Sequence, residues 1–263
     1  MSIVLSTKLE KSRNFLIVKK YEKQKGSYFM QPIGYKKENL RGIVYKLNEI
    51  RRKDDSFKSL FRDAELPFLY ELMDIYNDKV CLCEDINNFD YIYNSEDLAS
   101  LGGKKFHKKK NHYNQFVGNY KYEVKDLCEE EVVGDCIDFS QAWYDERQED
   151  DEQLEYELES IRGILPNCKI LGLEGLAVYV DGKIVGFTVG EKVNNNMAIV
   201  HVEKGDFKYS GVYAFINKTF AERYLSDVKF INRQEDLGVK GLRKAKRSYN
   251  PVKLEKKFIV DIR

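Results

Sequence analysis

The chain has 263 residues, 43% apolar and 33% charged, with 44 basic and 43 acidic side chains and a net charge of +1. That length supports one large domain or two modest ones with a real core. The charge balance excludes a global field that would steer the protein to nucleic acid or membrane, so any such contact must come from a local patch.

No apolar run approaches the roughly 20 residues of a membrane-spanning helix. The Met1–Ser6 start is too short for a signal peptide. Five cysteines, Cys81, Cys83, Cys128, Cys136 and Cys168, fit neither a disulfide framework nor a zinc pattern. A cytoplasmic protein with no metal site is expected.

In chain order, Phe15–Val18 and Ser27–Gln31 read as strands around a Lys25-Gly26 turn. Lys36 to Arg52 predicts an amphipathic helix with Leu40, Ile43, Val44 and Leu47 on one face. A short strand at Phe57–Phe61, a helix at Ala64–Tyr76 and a strand at Val80–Cys83 follow. Asn88–Tyr93 is aromatic and reads as a loop, leading to a helical turn at Ser95–Ser100.

Lys104 to Val117 predicts a helix in which Phe106, Lys109, Lys110 and Tyr113 share helical spacing. Its charge run is ordinarily a solvated face, and the alternative is a phosphate- or RNA-contacting helix. Lys121–Leu127 reads as a strand. A break in composition at Glu129–Cys136 is the expected domain boundary. From Asp145 to Glu159 nine of fifteen residues are acidic, and Leu154, Tyr156, Leu158 and Ile161 make the segment a surface helix.

The last part alternates clearly. Strands at Gly175–Val180 and Lys183–Gly190 flank an Asp181-Gly182 type I′ turn. A third strand spans Met197–Val202, and Ser210 caps a helix from Gly211 to about Tyr224. Val228–Ile231, a basic helix and a strand at Lys257–Asp261 complete an α+β layout.

The basic helix is predicted over Gly238–Ser248 with Asp236 as N-cap. Lys240, Arg243, Lys244 and Arg247 fall on one face, and Val239, Leu242 and Ala245 on the other. Lys246 lies with the second face. Two explanations stay open for a lysine there: a buried stem with a snorkelling head, or an ammonium facing a site with Glu235 and Asp236 as counter-charges.

This order resembles the acyltransferase fold of the GNAT superfamily. Four segments narrow it: Asp90-Tyr91-Ile92-Tyr93-Asn94, the run from Gly103 to His112, the His201-Val202-Glu203-Lys204 step, and Asn232 through Pro251. Over residues 27–263 they look like the phosphatidylglycerol lysyltransferase C-terminal domain family. The resemblance implies two tandem GNAT-like units, taken as residues 1–133 and 134–263, like the Fem-type peptidyltransferases of cell-wall synthesis. The N-terminus is short against the family, so the first unit is expected to lack its opening helices.

Characterised members of the family move an aminoacyl group from aminoacyl-tRNA to an amine or hydroxyl. In the lysyltransferases the Gly-Leu-Arg-x-x-Lys run carries active-site cations, here Arg243 and Lys246. Glu203 or Asp236 is the expected general base or acceptor-orienting carboxylate. Lys109, Asn111, His112, Lys204, Asn232, Arg233, Glu235 and Tyr249 are the substrate-binding candidates in the same motifs.

No cofactor is expected. An acetyl-CoA enzyme needs an Arg/Gln-x-x-Gly-x-Gly/Ala loop for pyrophosphate, and Glu203 to Gly211 lacks it. The membrane-spanning half of the lipid-modifying enzymes is absent from this sequence, so the acceptor stays open between a small molecule and a lipid. The alternative function is a catalytically silent tandem module that binds RNA or another polyanion.

Overall fold

The computed structural model describes residues 15–146 and 152–263. The Met1–Ser6 start and part of the acidic run, 147–151, lie outside the described residues. In chain order the elements are β1 (Lys19–Glu22), β2 (Gly26–Phe29), α1 (Leu40–Arg51), β3 (Phe57–Ala64), α2 (Leu66–Tyr76), β4 (Val80–Glu84), β5 (Asp90–Asn94), α3 (Ser95–Ser100), α4 (His107–Asn119), β6 (Tyr122–Asp126), α5 (Glu130–Asp145) and α6 (Glu152–Ile164). They continue with α7 (Cys168–Leu171), β7 (Glu174–Val180), β8 (Lys183–Asn194), β9 (Met197–Gly205), α8 (Val212–Tyr224), β10 (Phe230–Asn232), α9 (Lys240–Arg247), β11 (Lys253–Glu255) and β12 (Phe258–Ile262). The result is mixed α+β with two sheets. Among the described residues no helix is long and apolar enough to cross a membrane.

Two compact units divide at Phe89/Asp90 and Leu254/Glu255. The composition break at Glu129–Cys136 therefore falls inside the larger unit, at the start of α5. The reason is pairing: β5 is bonded to β10 and β6 to β7, so residues 90–133 share a sheet with the later strands.

The smaller unit holds a five-stranded sheet in the order β1-β2-β3-β12-β4. Leu40, Ile43, Val44 and Leu47 of α1 are buried as their spacing requires, and they meet Leu69 and Leu72 of α2 and Phe61 of β3 in one core. The first strand is displaced from the Phe15–Val18 expectation. Gly26, at φ +69, turns the chain directly into β2, so the partners of β2 are Lys19–Glu22. Leu16 keeps only an isolated bridge to Ile33. The final strand, read as the end of the C-terminal unit, is β12, antiparallel to both β3 and β4.

The larger unit, residues 90–254, carries a seven-stranded sheet ordered β11-β5-β10-β9-β8-β7-β6. The β7–β8 hairpin turns at Asp181 (φ 50) and Gly182 (φ 74), the left-handed pair a type I′ turn demands. Strand alternation splits the core in two. Leu176, Val178 and Val180 pack with Phe106, Phe116 and Phe215 on one face. Ala177 and Tyr179 pack with Val132, Cys136 and Ile161 on the other.

Asn88–Tyr93, expected as a loop, contributes β5. Tyr91, Ile92 and Tyr93 are all buried, so the strand is covered on both faces and shows no alternation. Helix α5 was masked by its acidic start, although Val132, Cys136 and Ser140 are buried at four-residue spacing.

Helix α8 begins at Val212 with Gly211 as N-cap and no side-chain cap, so Ser210 does not fill the capping role. Gly211 has φ +87, and a Cβ there would stand 2.0 Å from the His112 carbonyl oxygen of α4. Gly211→Ala is expected to lower unfolding free energy by about 3 kcal/mol in urea titration. Gly182→Ala, left-handed but in open space, is expected to lose about 1–2 kcal/mol. Equal losses would show that α4 is not seated on α8.

Candidate functional site

The candidate residues converge where β10 ends. β10 runs parallel to β9 and antiparallel to β5, and its exit leads through residues 232–239 to α9. The Asn232 side chain accepts from the Gln234 amide at 2.7 Å and donates to Asp90 at 3.1 Å. Tyr91 of β5 pairs with the same segment through Arg233 N–H to Tyr91 O (3.0 Å) and Tyr91 N–H to Gln234 O (3.2 Å). Gln234 (φ 56), Leu237 (φ 52) and Gly238 (φ 79) are left-handed. Two of these are not glycine, so the surrounding contacts must hold the turn.

Lys246 is one of those contacts. It is 8% exposed, and its Nζ donates to the carbonyls of Arg233 (2.5 Å), Gln234 (3.1 Å) and Glu235 (2.5 Å). An ammonium has three protons, and all three are committed. Burial, then the nearby Arg233 guanidinium, lower its pKa to about 8, so it keeps its proton at neutral pH. The head neither snorkels nor faces an open site. Its own carbonyl accepts from the Tyr93 hydroxyl at 2.8 Å.

Asp236 pins the other side of the turn. It is 1% exposed and accepts from Arg243 Nε and Nη2, both at 2.7 Å, from the Tyr91 hydroxyl at 2.6 Å and from the Gly238 amide at 2.9 Å. Burial opposes the charge, but the Arg243 and Tyr91 hydrogen bonds outweigh it and bring the carboxyl down to about 2. Such a carboxylate is a weak base. Asp236 also closes the turn instead of capping the helix, since α9 starts at Lys240 with Val239 before it. The apolar face predicted for α9 is not its buried face. Val239 is 55% and Leu242 38% exposed, Ala245 is exposed, and the inward groups are Lys246 and Arg243.

A second network joins the first through Arg233. Its Nη2 donates to Glu203 of β9 at 2.8 Å, and the side-chain amide of Asn217 of α8 stands between that guanidinium and the other Glu203 oxygen, 3.3 Å from each. The Arg233 guanidinium stands 4.8 Å from the Tyr249 ring centroid, and Lys109 Nζ stands 4.2 Å from the same ring. Burial, then Arg233, lower the Lys109 ammonium below its usual value, against the pull of Glu203.

The structure brings together Lys246, Arg243, Glu203, Asp236, Lys109, Asn232, Arg233, Glu235 and Tyr249. It leaves Asn111 exposed on α4 and outside these contacts. Lys204 faces the opposite side of β9, because successive strand residues alternate. There it pairs with Glu157 at 2.8 Å and lies 3.9 Å from the Trp143 ring. His112 is exposed, with its carbonyl against Gly211. Tyr91, Tyr93 and Asn217 were not singled out as site residues, although Tyr91 and Tyr93 lie in the quoted Asp90–Asn94 motif.

The β9–α8 connection, where an acyl-CoA enzyme would offer free amides, uses them internally. The amides of Lys208 and Tyr209 donate to Asp206, and that of Ser210 to the Tyr120 hydroxyl at 3.1 Å.

The low Asp236 pKa sets a pH signature. Its stabilising contribution is complete above the ordinary carboxylate value of 3.8 and is lost as pH falls toward about 2. Asp236→Asn is expected to cost about 2 kcal/mol at neutral pH. In thermal unfolding, the gap between the two proteins should close as pH drops through that window. A gap that stays constant there would remove the assignment.

Comparison with known proteins agrees with this fold. A conserved protein of unknown function from Bacteroides thetaiotaomicron VPI-5482 superposes with a TM-score of 0.83 at 34% identity, covering 95% of this chain and 84% of that one. L-PGS from Bacillus licheniformis superposes at 0.64 with 14% identity, covering 94% and 81%. A tandem GNAT protein from the clavulanic acid biosynthesis pathway superposes at 0.50 with 10% identity, covering 89% and 73%. At such low identity the last two show the shared fold alone. An uncharacterised protein of Mycoplasmoides gallisepticum is 28% identical over 174 residues, 66% of this chain and only 56% of that protein. The chain thus spans little more than half the length of this curated relative. The family described as phosphatidylglycerol lysyltransferase, C-terminal, matches residues 6–261, and the chain belongs to that family.

Proposed function

We propose that the larger unit moves an aminoacyl group from aminoacyl-tRNA to an amine or hydroxyl acceptor. Family membership supports this reaction class. The observation that carries the reading is the partly buried Glu203–Arg233 pair beside Lys109 and Tyr249. The donor ester is already activated, so the transfer needs no covalent enzyme intermediate. The acceptor nitrogen or oxygen attacks the ester carbonyl, a C–N or C–O bond forms, and the bond to the ribose oxygen breaks. The proton lost by the acceptor ends on that ribose hydroxyl.

In this scheme Glu203 holds the acceptor and takes its proton first. Lys109, which has no carboxylate partner among the described residues, stabilises negative charge on the attacked carbonyl. Lys246, Asp236 and Arg243 act as positioning groups, because their polar atoms are directed into the turn they hold. The internally bonded amides before α8 support a donor other than an acyl-CoA.

The saturation of Lys246 and Asp236 also supports a second reading, a silent module that binds RNA or another polyanion. Labelled aminoacyl-tRNA with amine acceptors separates the two. Transfer is expected, reduced by about 100-fold in Glu203→Gln, with the fold checked by thermal unfolding. Undiminished transfer in that variant removes the role of Glu203. Salt-dependent RNA binding with no transfer by the native chain selects the silent module.

A further inference from the structure

Beside the Arg233 network lies a cleft of about 260 Å³ lined by Lys104, Lys105, Lys108, Lys109, His112 and Ser248. Lys104 and Lys105 sit in the tight turn that leads into α4. Lys105, Lys108, Lys109 and His112 then follow at i, i+3, i+4 and i+7, a single helical face. Ser248 closes the cleft from the end of α9.

No carboxylate lines this space. Lys105 reaches Asp97 at 2.8 Å. Among the described residues Lys104, Lys108 and Lys109 have no carboxylate partner. Four ammonium groups around one concavity disfavour one another's charge unless an anion sits among them. The positive end of the α4 macrodipole lies at the same place.

Lys109 belongs to both settings. It lines the cleft, and its ammonium also lies 4.2 Å from the Tyr249 ring that Arg233 faces. Arg247, adjacent to Ser248 and exposed, adds another cation next to Ser248 in sequence.

We propose that this cleft is a phosphate site that holds the backbone of an RNA strand, with Lys104 and Lys108 as its ligands and Lys109 at its border with the Arg233 network. The proposal deepens the donor reading above by naming where the phosphates are held. It is tested on uncharged RNA, so its failure is distinct from a failure of acyl transfer. A free oligophosphate offers the same chemistry and forms the second arm.

The test is anisotropy of a fluorescently labelled single-stranded RNA 12-mer titrated with the full chain across a salt series. The variants are the native chain, Lys104→Gln/Lys108→Gln, and a control, Lys169→Gln/Lys183→Gln. All four substituted lysines are exposed, so each variant is expected to fold. Losing two phosphate contacts should weaken binding about tenfold or more and flatten the log–log salt slope by ~1.4. The control should match the native chain.

Inorganic pyrophosphate is added in thermal unfolding as the second arm. If it raises the melting temperature of the native chain but not of the cleft variant, while RNA is not bound, the phosphate site stands and its source is a free oligophosphate. If neither probe binds, or if both bind the cleft variant as well as the native chain, the proposal is overturned.

Discussion

The larger unit depends on one ammonium group surrounded by three consecutive carbonyls. For Arg233, Gln234 and Glu235 to aim their oxygens at a single nitrogen, the chain must turn sharply, and Gln234 takes a left-handed φ of 56 to do so. That conformation is costly for a residue with a Cβ. Lysine suits the position because its charge is compact and its three donors can converge on a point. A planar guanidinium directs its donors outward in a fork. Removing the ammonium would take a hydrogen bond from each of three carbonyls, with the Gln234 oxygen keeping the Tyr91 amide, a loss more costly than never having built the contact.

The turn transmits order to both sides. Asp236 follows it directly and binds Arg243 from α9 and Tyr91 from β5, so helix and strand are tied to the same few residues. Arg233 precedes it and sends its side chain the other way, to Glu203 of β9. One residue therefore serves the clamp with its carbonyl and the second network with its guanidinium. After burial, that guanidinium is the next cause that depresses both Lys109 and Lys246. The groups fully engaged by the scaffold sit at the turn, and those with spare hydrogen-bonding capacity, Lys109 above all, sit at its edge.

How far this was legible can be argued from Lys246. Helical spacing placed it inward, and it is inward. The same spacing put Val239, Leu242 and Ala245 inward with it, and they are exposed. A helical wheel sorts side chains by polarity, whereas here the buried surface is backbone carbonyl, which has no signature in side-chain pattern. β5 was missed for a related reason. A short strand covered on both faces, with tyrosines whose hydroxyls find buried partners, shows neither alternation nor a continuous aliphatic run. The α1 helix and the β7–β8 hairpin were readable because spacing and turn chemistry are local. The destination of β12, between β3 and β4, depends on partners nearly two hundred residues away and leaves no local trace.

The seating of α4 on α8 bears on how the basic cleft and the Glu203 network can communicate. Phe116 and Tyr113 of α4 pack on Phe215 of α8, with ring centroids 4.6 and 5.6 Å apart. Gly211 lets the His112 carbonyl approach where any Cβ would collide. Helix α8 in turn carries Asn217, which touches Glu203. Shifting α4 would break this aromatic contact, so the distance between the cleft and Glu203 is fixed by close packing. An anion among the lysines of α4 would therefore act on the network through charge and not through motion. It would favour the protonated form of Lys109 and weaken the repulsion that Lys109 and Arg233 exert on one another. The one residue common to both settings is then the one through which occupancy of the cleft alters the electrostatics at Glu203.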